Sequence, residues 1–271
     1  MAKVLVVTSG KGGVGKTTST AAIGAALAQS GQKVVVVDFD VGLRNLDLVM
    51  GAERRVVFDL INVVQGVAKL SQALIRDKRL ENLWLLPASQ TRDKDALTEE
   101  GVGRIIAELK KTFDWVICDS PAGIERGAML SMRFADEAVI VTNPEVSSVR
   151  DSDRIIGMLD SKTMRAENGE HVEKHILIAR YDAGRAARGE MLGIEDVLEI
   201  LATPLIGIVP ESQDILRASN VGCPVTLNSP GSAAARAYTD ATRRLLGETV
   251  PMTVPTERKG LINKLLGRRA A

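Results

Sequence analysis

The chain has little of several things that usually direct a reading. Its 271 residues include two Cys, two His, four Phe, two Trp and two Tyr, and the formal charge sums to +1. Two cysteines, Cys118 and Cys223, build no disulfide framework and point to a reduced, cytoplasmic compartment. A balanced charge sets up no global field to draw in nucleic acid. No stretch reaches the roughly 18 apolar residues of a membrane span. The apolar run behind Lys3 extends only from Val4 to Val7, so it does not read as a secretory signal. His171 and His175 flank a strand start without a carboxylate–cysteine cluster, and read as surface residues.

What is present is an alternation of short β-branched runs and helical segments, the pattern of a parallel sheet wrapped by helices. Hydrophobic content of 45% is enough for a sizeable core. Strands are expected at Lys3 to Thr8, Lys33 to Asp38, Leu83 to Pro87, Trp115 to Asp119, Ala138 to Thr142, His175 to Ala179 and Leu205 to Val209. Val34-Val35-Val36-Val37 is apolar throughout, as a strand covered on both faces must be. A first helix should run from Lys16 to Ser30 and stop at Gly31. The polar stretch from Met164 to Lys174 reads as an exposed loop. Residues 1–247 form one domain in this reading, 248–259 a flexible linker marked by Pro251 and Pro255, and 260–271 a terminal helix.

The sharpest motif is Gly10-Lys11-Gly12-Gly13-Val14-Gly15-Lys16-Thr17, which fits G-x-x-x-x-G-K-[ST] directly behind the first strand. Glycines let backbone N–H groups turn inward around phosphate oxygens, and the following helix points its positive end at the same anion. Lys16 should reach the β- and γ-phosphates of ATP, the Thr17 hydroxyl should ligate Mg2+, and Thr18 completes the candidate nucleotide-binding run. Lys11 is a second lysine within the loop. It is either a solvated surface residue or a group that reaches the nucleotide of another subunit.

Two strand-end carboxylates complete the candidate site. Trp115-Val116-Ile117-Cys118-Asp119 reads as a Walker B element, with Asp119 holding Mg2+ directly or through water. Val37-Asp38-Phe39-Asp40 ends another strand at the edge where open α/β sheets bind ligands. Asp40 is placed to orient an attacking water.

With its extra Lys11, the loop resembles the deviant Walker A motif of the ParA/MinD ATPases. The stretches Phe39 to Asp47, Pro87 to Asp95, Cys118 to Glu125 and Thr142 to Asp153 narrow the resemblance to the septum-site-determining branch of that family. The resemblance implies a P-loop NTPase fold, a mostly parallel twisted β-sheet flanked by helices on both faces. It implies an ATP-state homodimer in which Lys11 crosses to the partner's nucleotide, and an Asp40 needed for hydrolysis. Arg180, Pro210 and Glu211 would lie near adenine. Ser148 and Asp151 would belong to a surface for a septum-formation inhibitor (MinC-like) and a topological specificity factor (MinE-like). The protein would cycle between cytoplasm and the inner face of the membrane. A DNA-partition ATPase of the same superfamily is the alternative. An iron–sulfur electron carrier is a remote one, since Cys118 lies within a strand.

The C-terminus carries the second motif. Wound as a helix, Leu261, Ile262, Leu265 and Leu266 share one arc of about 140°, while Lys264 and Arg268 lie beyond its edge. This is the build of a helix lying in an anionic lipid interface. Four aliphatic side chains at roughly 1.5–3 kcal/mol each, less the ordering cost, make one copy a weak anchor. Two copies on a dimer gain roughly 10²–10⁴-fold by avidity, so an ATP-driven dimer would be an ATP-driven membrane binder. No aromatic residue interleaves with these charges, and no nucleic-acid partner is expected.

Overall fold

The computed structural model describes residues 2–90 and 96–256. Its strands are β1 (Lys3–Thr8), β2 (Val34–Asp38), β3 (Ile75–Arg76), β4 (Leu83–Leu86), β5 (Trp115–Asp119), β6 (Glu137–Thr142), β7 (Glu173–Tyr181) and β8 (Leu205–Pro210). They form one sheet in the order β3-β4-β2-β5-β1-β6-β7-β8. Every neighbouring pair is parallel except β3 with β4. The helices are α1 (Lys16–Gln29), α2 (Leu46–Val49), α3 (Leu60–Val64), α4 (Leu70–Ala73), α5 (Glu99–Leu109), α6 (Arg126–Arg133), α7 (Val146–Leu159), α8 (Met164–Glu167), α9 (Ala183–Ala187), α10 (Ile194–Leu201), α11 (Gln213–Asn220), α12 (Val225–Asn228) and α13 (Ala233–Leu245).

The sheet is covered on both faces, and two apolar clusters result. One joins Val4, Val35 and Val37 to helices α3, α5, α6, α7 and α10. The other joins Leu5, Val34 and Val36 to α1 and α13. The four β2 valines are fully buried, half in each cluster, each contributing roughly 1.5–3 kcal/mol. Helix α1 is rich in Ala, Ser and Thr because it lies wedged between the sheet and other helices. A Cβ on Gly24 would meet Val36 Cγ1 at 2.8 Å, and the Ser19 and Tyr238 hydroxyls lie 3.0 Å apart.

Seven strands lie where the apolar runs put them. β3 was not anticipated, because two residues at an antiparallel edge leave no periodic signal. The stretch from Met164 to Lys174 is not one loop. Thr163 caps α8 by accepting from Ala166 N at 3.1 Å, and β7 begins at Glu173. His175 also departs from the surface reading. It lies within β7 with its side chain 16% exposed, and its Nε2 is 2.9 Å from Glu137 Oε1. The register that sets Glu137 beside Glu173 is the reason, since His175 is two residues along the same strand face. His171 is exposed, as expected.

Beyond α13, Arg244 gathers the chain by donating to the carbonyls of Ile206 (2.6 Å), Val250 (3.0 Å) and Pro251 (2.7 Å). The candidate membrane residues Leu261, Ile262, Lys264, Leu265 and Leu266 lie outside the described residues, as do residues 91–95 of one family-like stretch.

Candidate nucleotide site

The loop between β1 and α1 is shaped by its glycines. Gly13 (φ +76°) and Gly15 (φ +107°) occupy the left-handed region, and Gly15 stands immediately before the first turn of α1. Gly10 has a different reason. A Cβ there would lie 2.4 Å from both Cβ and the carbonyl oxygen of Asp151, so only glycine lets α7 press against the loop. Gly12 and Gly13 are exposed, Val14 is buried, and Thr17 and Thr18 are half-buried on the first turn of α1.

Lys16 turns back under the loop. Its Nζ donates to Ser9 Oγ at 2.9 Å and reaches the Lys11 carbonyl at 3.4 Å. The side chain is nearly enclosed, and that burial lowers its pKa, while Asp119 and Asp40 pull in the opposite direction. An ammonium held in this way, under a loop whose Gly13 and Gly15 take left-handed backbone, fits a polyphosphate.

The carboxylates converge from neighbouring strands. Asp38 and Asp119 end β2 and β5 in direct register. Asp119 accepts from Thr20 Oγ1 at 2.9 Å and from the Thr17 hydroxyl. Burial pushes its carboxyl up to about 6, against those two bonds and the Lys16 charge. Asp38, fully buried beside Asp119, is raised well above the usual carboxylate range. It accepts from Asp40 N at 2.8 Å and from Leu46 N at 3.2 Å. Asp38 thereby fastens the turn that carries Asp40. Asp40 is half-buried, interacts electrostatically with Lys16 and Asp119, and lines a cleft of about 390 Å³ with Phe39, Leu97, Pro121 and Ala122. Hydroxyl and carboxylate oxygens from Thr17 and Asp119 are the hard donors Mg2+ takes.

Lys11 points away from its own loop. Its Nζ is 3.1 Å from Glu145 Oε2 and 3.0 Å from Ser147 Oγ. Arg180, Pro210 and Glu211 are brought together where β7 and β8 end. Tyr181 pairs with Pro210, and Glu211 N donates to Tyr181 O at 3.0 Å. Arg180 is exposed and takes a positive φ of 56°.

Ser148 differs from the expected surface position. It is 1% exposed, its hydroxyl accepts from Asn143 N at 3.1 Å, and it shares a contact with Thr142 Oγ1. The hydroxyl is turned inward because it satisfies the end of β6. Asp151 is partly exposed and rests against Gly10. Among the residues singled out from sequence, none was Asp38, Ser9, Thr20, Glu145 or Ser147, all of which touch this site.

A parallel sheet with a glycine loop feeding a buried helix, a lysine under that loop and carboxylates at the adjoining strand ends define a P-loop nucleotide-binding ATPase. Residues 5–225 match the CobQ/CobB/MinD/ParA nucleotide binding domain. The septum site-determining protein MinD of Escherichia coli K12 is 61% identical over 270 residues, spanning 98% of this chain and all of that one. The MinC:MinD cell division protein complex of Aquifex aeolicus contains a chain 42% identical to this one (TM-score 0.83, 94% of this chain, all of that one). The septum site-determining MinD of Pyrococcus horikoshii, complexed with Mg-ADP, is 31% identical (TM-score 0.80, 90% of this chain, 96% of that one). The chain belongs to the ParA/MinD family of P-loop ATPases, and within it to the septum site-determining MinD group of cell-division proteins.

Proposed function

We propose that this protein is an ATP-dependent switch in bacterial division-site placement. It hydrolyses ATP to ADP and phosphate, and it dimerises and binds the inner membrane in the ATP state. There it recruits a septum-formation inhibitor and is released after hydrolysis stimulated by a topological specificity factor. The Mg-ADP held by the Pyrococcus relative and the MinC bound by the Aquifex relative support the nucleotide and the inhibitor. The observation that carries the switch is Lys11, a loop lysine that serves Glu145 and Ser147 rather than its own cradle.

In this mechanism the amides of residues 10–17 and the Lys16 ammonium bind the β- and γ-phosphates. Thr17 and Asp119 would hold magnesium, which would supply positive charge against the phosphates. Asp40 orients the water that attacks the γ-phosphorus in line, and the bond to the β-phosphate oxygen breaks. Lys11 leaves Glu145 and enters the facing subunit's site, where it offsets charge on the departing phosphate. Arg180, Pro210 and Glu211 border the base. The exposed start of α7 around Asp151 contributes to the partner surface. Residues 260–271 supply the membrane helix, and the paired copies in the dimer supply the avidity.

Sedimentation with anionic liposomes in ATP, ADP and a non-hydrolysable ATP analogue tests this reading, using the intact chain and one truncated after Glu257. Binding that needs both the triphosphate and the tail is the expected result. Lipid binding without nucleotide dependence would reduce the tail to a plain anchor. No lipid binding together with ATP-dependent DNA binding would favour the partition class.

A further inference from the structure

We propose that Glu137, Glu173 and His175 form a cation site for a divalent transition metal such as zinc, toward the strand ends opposite the nucleotide loop. Glu137 and Glu173 open β6 and β7 and face each other in register. The nucleotide loop follows the last residue of β1 and Asp119 is the last residue of β5, whereas Glu137 and Glu173 are the first residues of strands parallel to these, so the two sites lie toward opposite strand ends.

The geometry suits a small tetrahedral ion. His175 Nε2 is 2.9 Å from Glu137 Oε1 and 3.6 Å from Glu173 Oε1. One ligand atom from each residue falls within a 4.8 Å spread. Metal–ligand bonds of about 2.0–2.1 Å place tetrahedral ligands roughly 3.3 Å apart, between the two measured separations. The donor set is one imidazole nitrogen and two carboxylate oxygens, which favours zinc, cobalt or nickel over magnesium.

The surroundings orient these donors. Lys3 Nζ lies 3.1 Å from Glu137 Oε2, which occupies that oxygen and leaves Oε1 turned to the ring. Supporting contacts of this kind fix a ligand's direction. Glu137 is almost fully buried, whereas Glu173 is 65% exposed and opens the site to solvent. A proton on Nε2 can serve one of the two carboxylates well, while a metal ion between the three serves both. Bound metal would clip β6 to β7 and favour the folded chain.

The test uses the full-length chain without a purification tag, in excess magnesium and ADP so that the nucleotide site is filled. Zinc is titrated by calorimetry and cobalt by visible absorption. One equivalent of zinc, tetrahedral cobalt bands and a higher Tm with zinc are expected. Glu173→Gln and His175→Gln should each weaken binding by about tenfold or more, with unchanged magnesium-dependent ATPase activity. Circular dichroism confirms that both variants fold, and Glu173 is exposed enough that its variant should. No zinc binding by the wild-type chain, or binding that both variants retain, would overturn the proposal.

Discussion

Lys11 and Glu145 are 134 positions apart in sequence, and their charged groups lie 3.1 Å apart in the fold. The pair joins the nucleotide loop to the start of α7 within one chain. Both side chains are about half exposed, and an ion pair of that kind is worth roughly 0–1 kcal/mol. The tether therefore holds Lys11 without locking it. Lys11→Ala should leave ATP binding by the monomer within about threefold of wild type and lower kcat by roughly 10³-fold or more, as loss of a trans-acting cation does. Equilibrium nucleotide binding and steady-state phosphate release separate the two effects. Loss of ATP affinity equal to the loss of rate would place Lys11 in its own cradle instead.

Asp38 should matter through the turn it holds. Asp38→Ala removes the acceptor for Asp40 N and Leu46 N, leaving each N–H unpaired at a cost of about 1–3 kcal/mol. Asp38→Asn keeps an acceptor and should be milder. Asn also sheds the buried charge, so urea unfolding near pH 8 should leave only the Ala variant less stable than wild type, while kcat is expected to fall in the order wild type, Asn variant, Ala variant. An Ala variant as active and stable as wild type would show that Asp40 is positioned by other contacts.

The Asp119 carboxyl gives a pH dependence with a definite sign. Burial raises it to about 6, above the value of about 3.9 in an unfolded chain. The native state thus binds this proton more tightly, and its stabilising contribution is lost as pH rises through about 6. Asp119→Asn should raise the Tm of the nucleotide-free protein near pH 8, and the gain should shrink toward pH 5. Magnesium-dependent nucleotide binding by wild type should weaken below about pH 6, as the proton competes for the carboxylate. A Tm difference that grows on acidification would contradict this assignment.

Gly10→Ala tests the contact between loop and helix. The added Cβ would sit 2.4 Å from Asp151 backbone and side-chain atoms, and backbone cannot step aside cheaply. A loss of about 1–3 kcal/mol is expected, with weaker ATP binding. Hydrogen exchange should show the change concentrated in residues 9–16 and the start of α7. A uniform change across the sheet would place the strain elsewhere.

Much of this was legible from residue order, for a physical reason. A strand buried on both faces has to be apolar at every position, so Val34 to Val37 announces itself. A phosphate loop needs glycines at set spacings. What stayed hidden depends on register or burial. Asp38 and Asp40 read alike in sequence, and only the fold shows which one faces inward beside Asp119. Glu145 and Ser147 reach Lys11 across more than a hundred residues. His175 meets Glu137 only because β6 and β7 align at their first residues. Helix α8 was concealed because a single Thr163 cap holds one turn inside a charged stretch.

The Arg244 guanidinium binds carbonyls of β8 and of the departing chain at once. In mechanical terms it is a strain relief. A protein held by its C-terminus would take tension first at Val250 and Pro251, and Arg244 would pass that load sideways into the edge strand β8. Arg244 also sits on α13, whose Tyr238 hydroxyl lies 3.0 Å from Ser19 on α1, so part of such a load would reach the helix that follows the nucleotide loop.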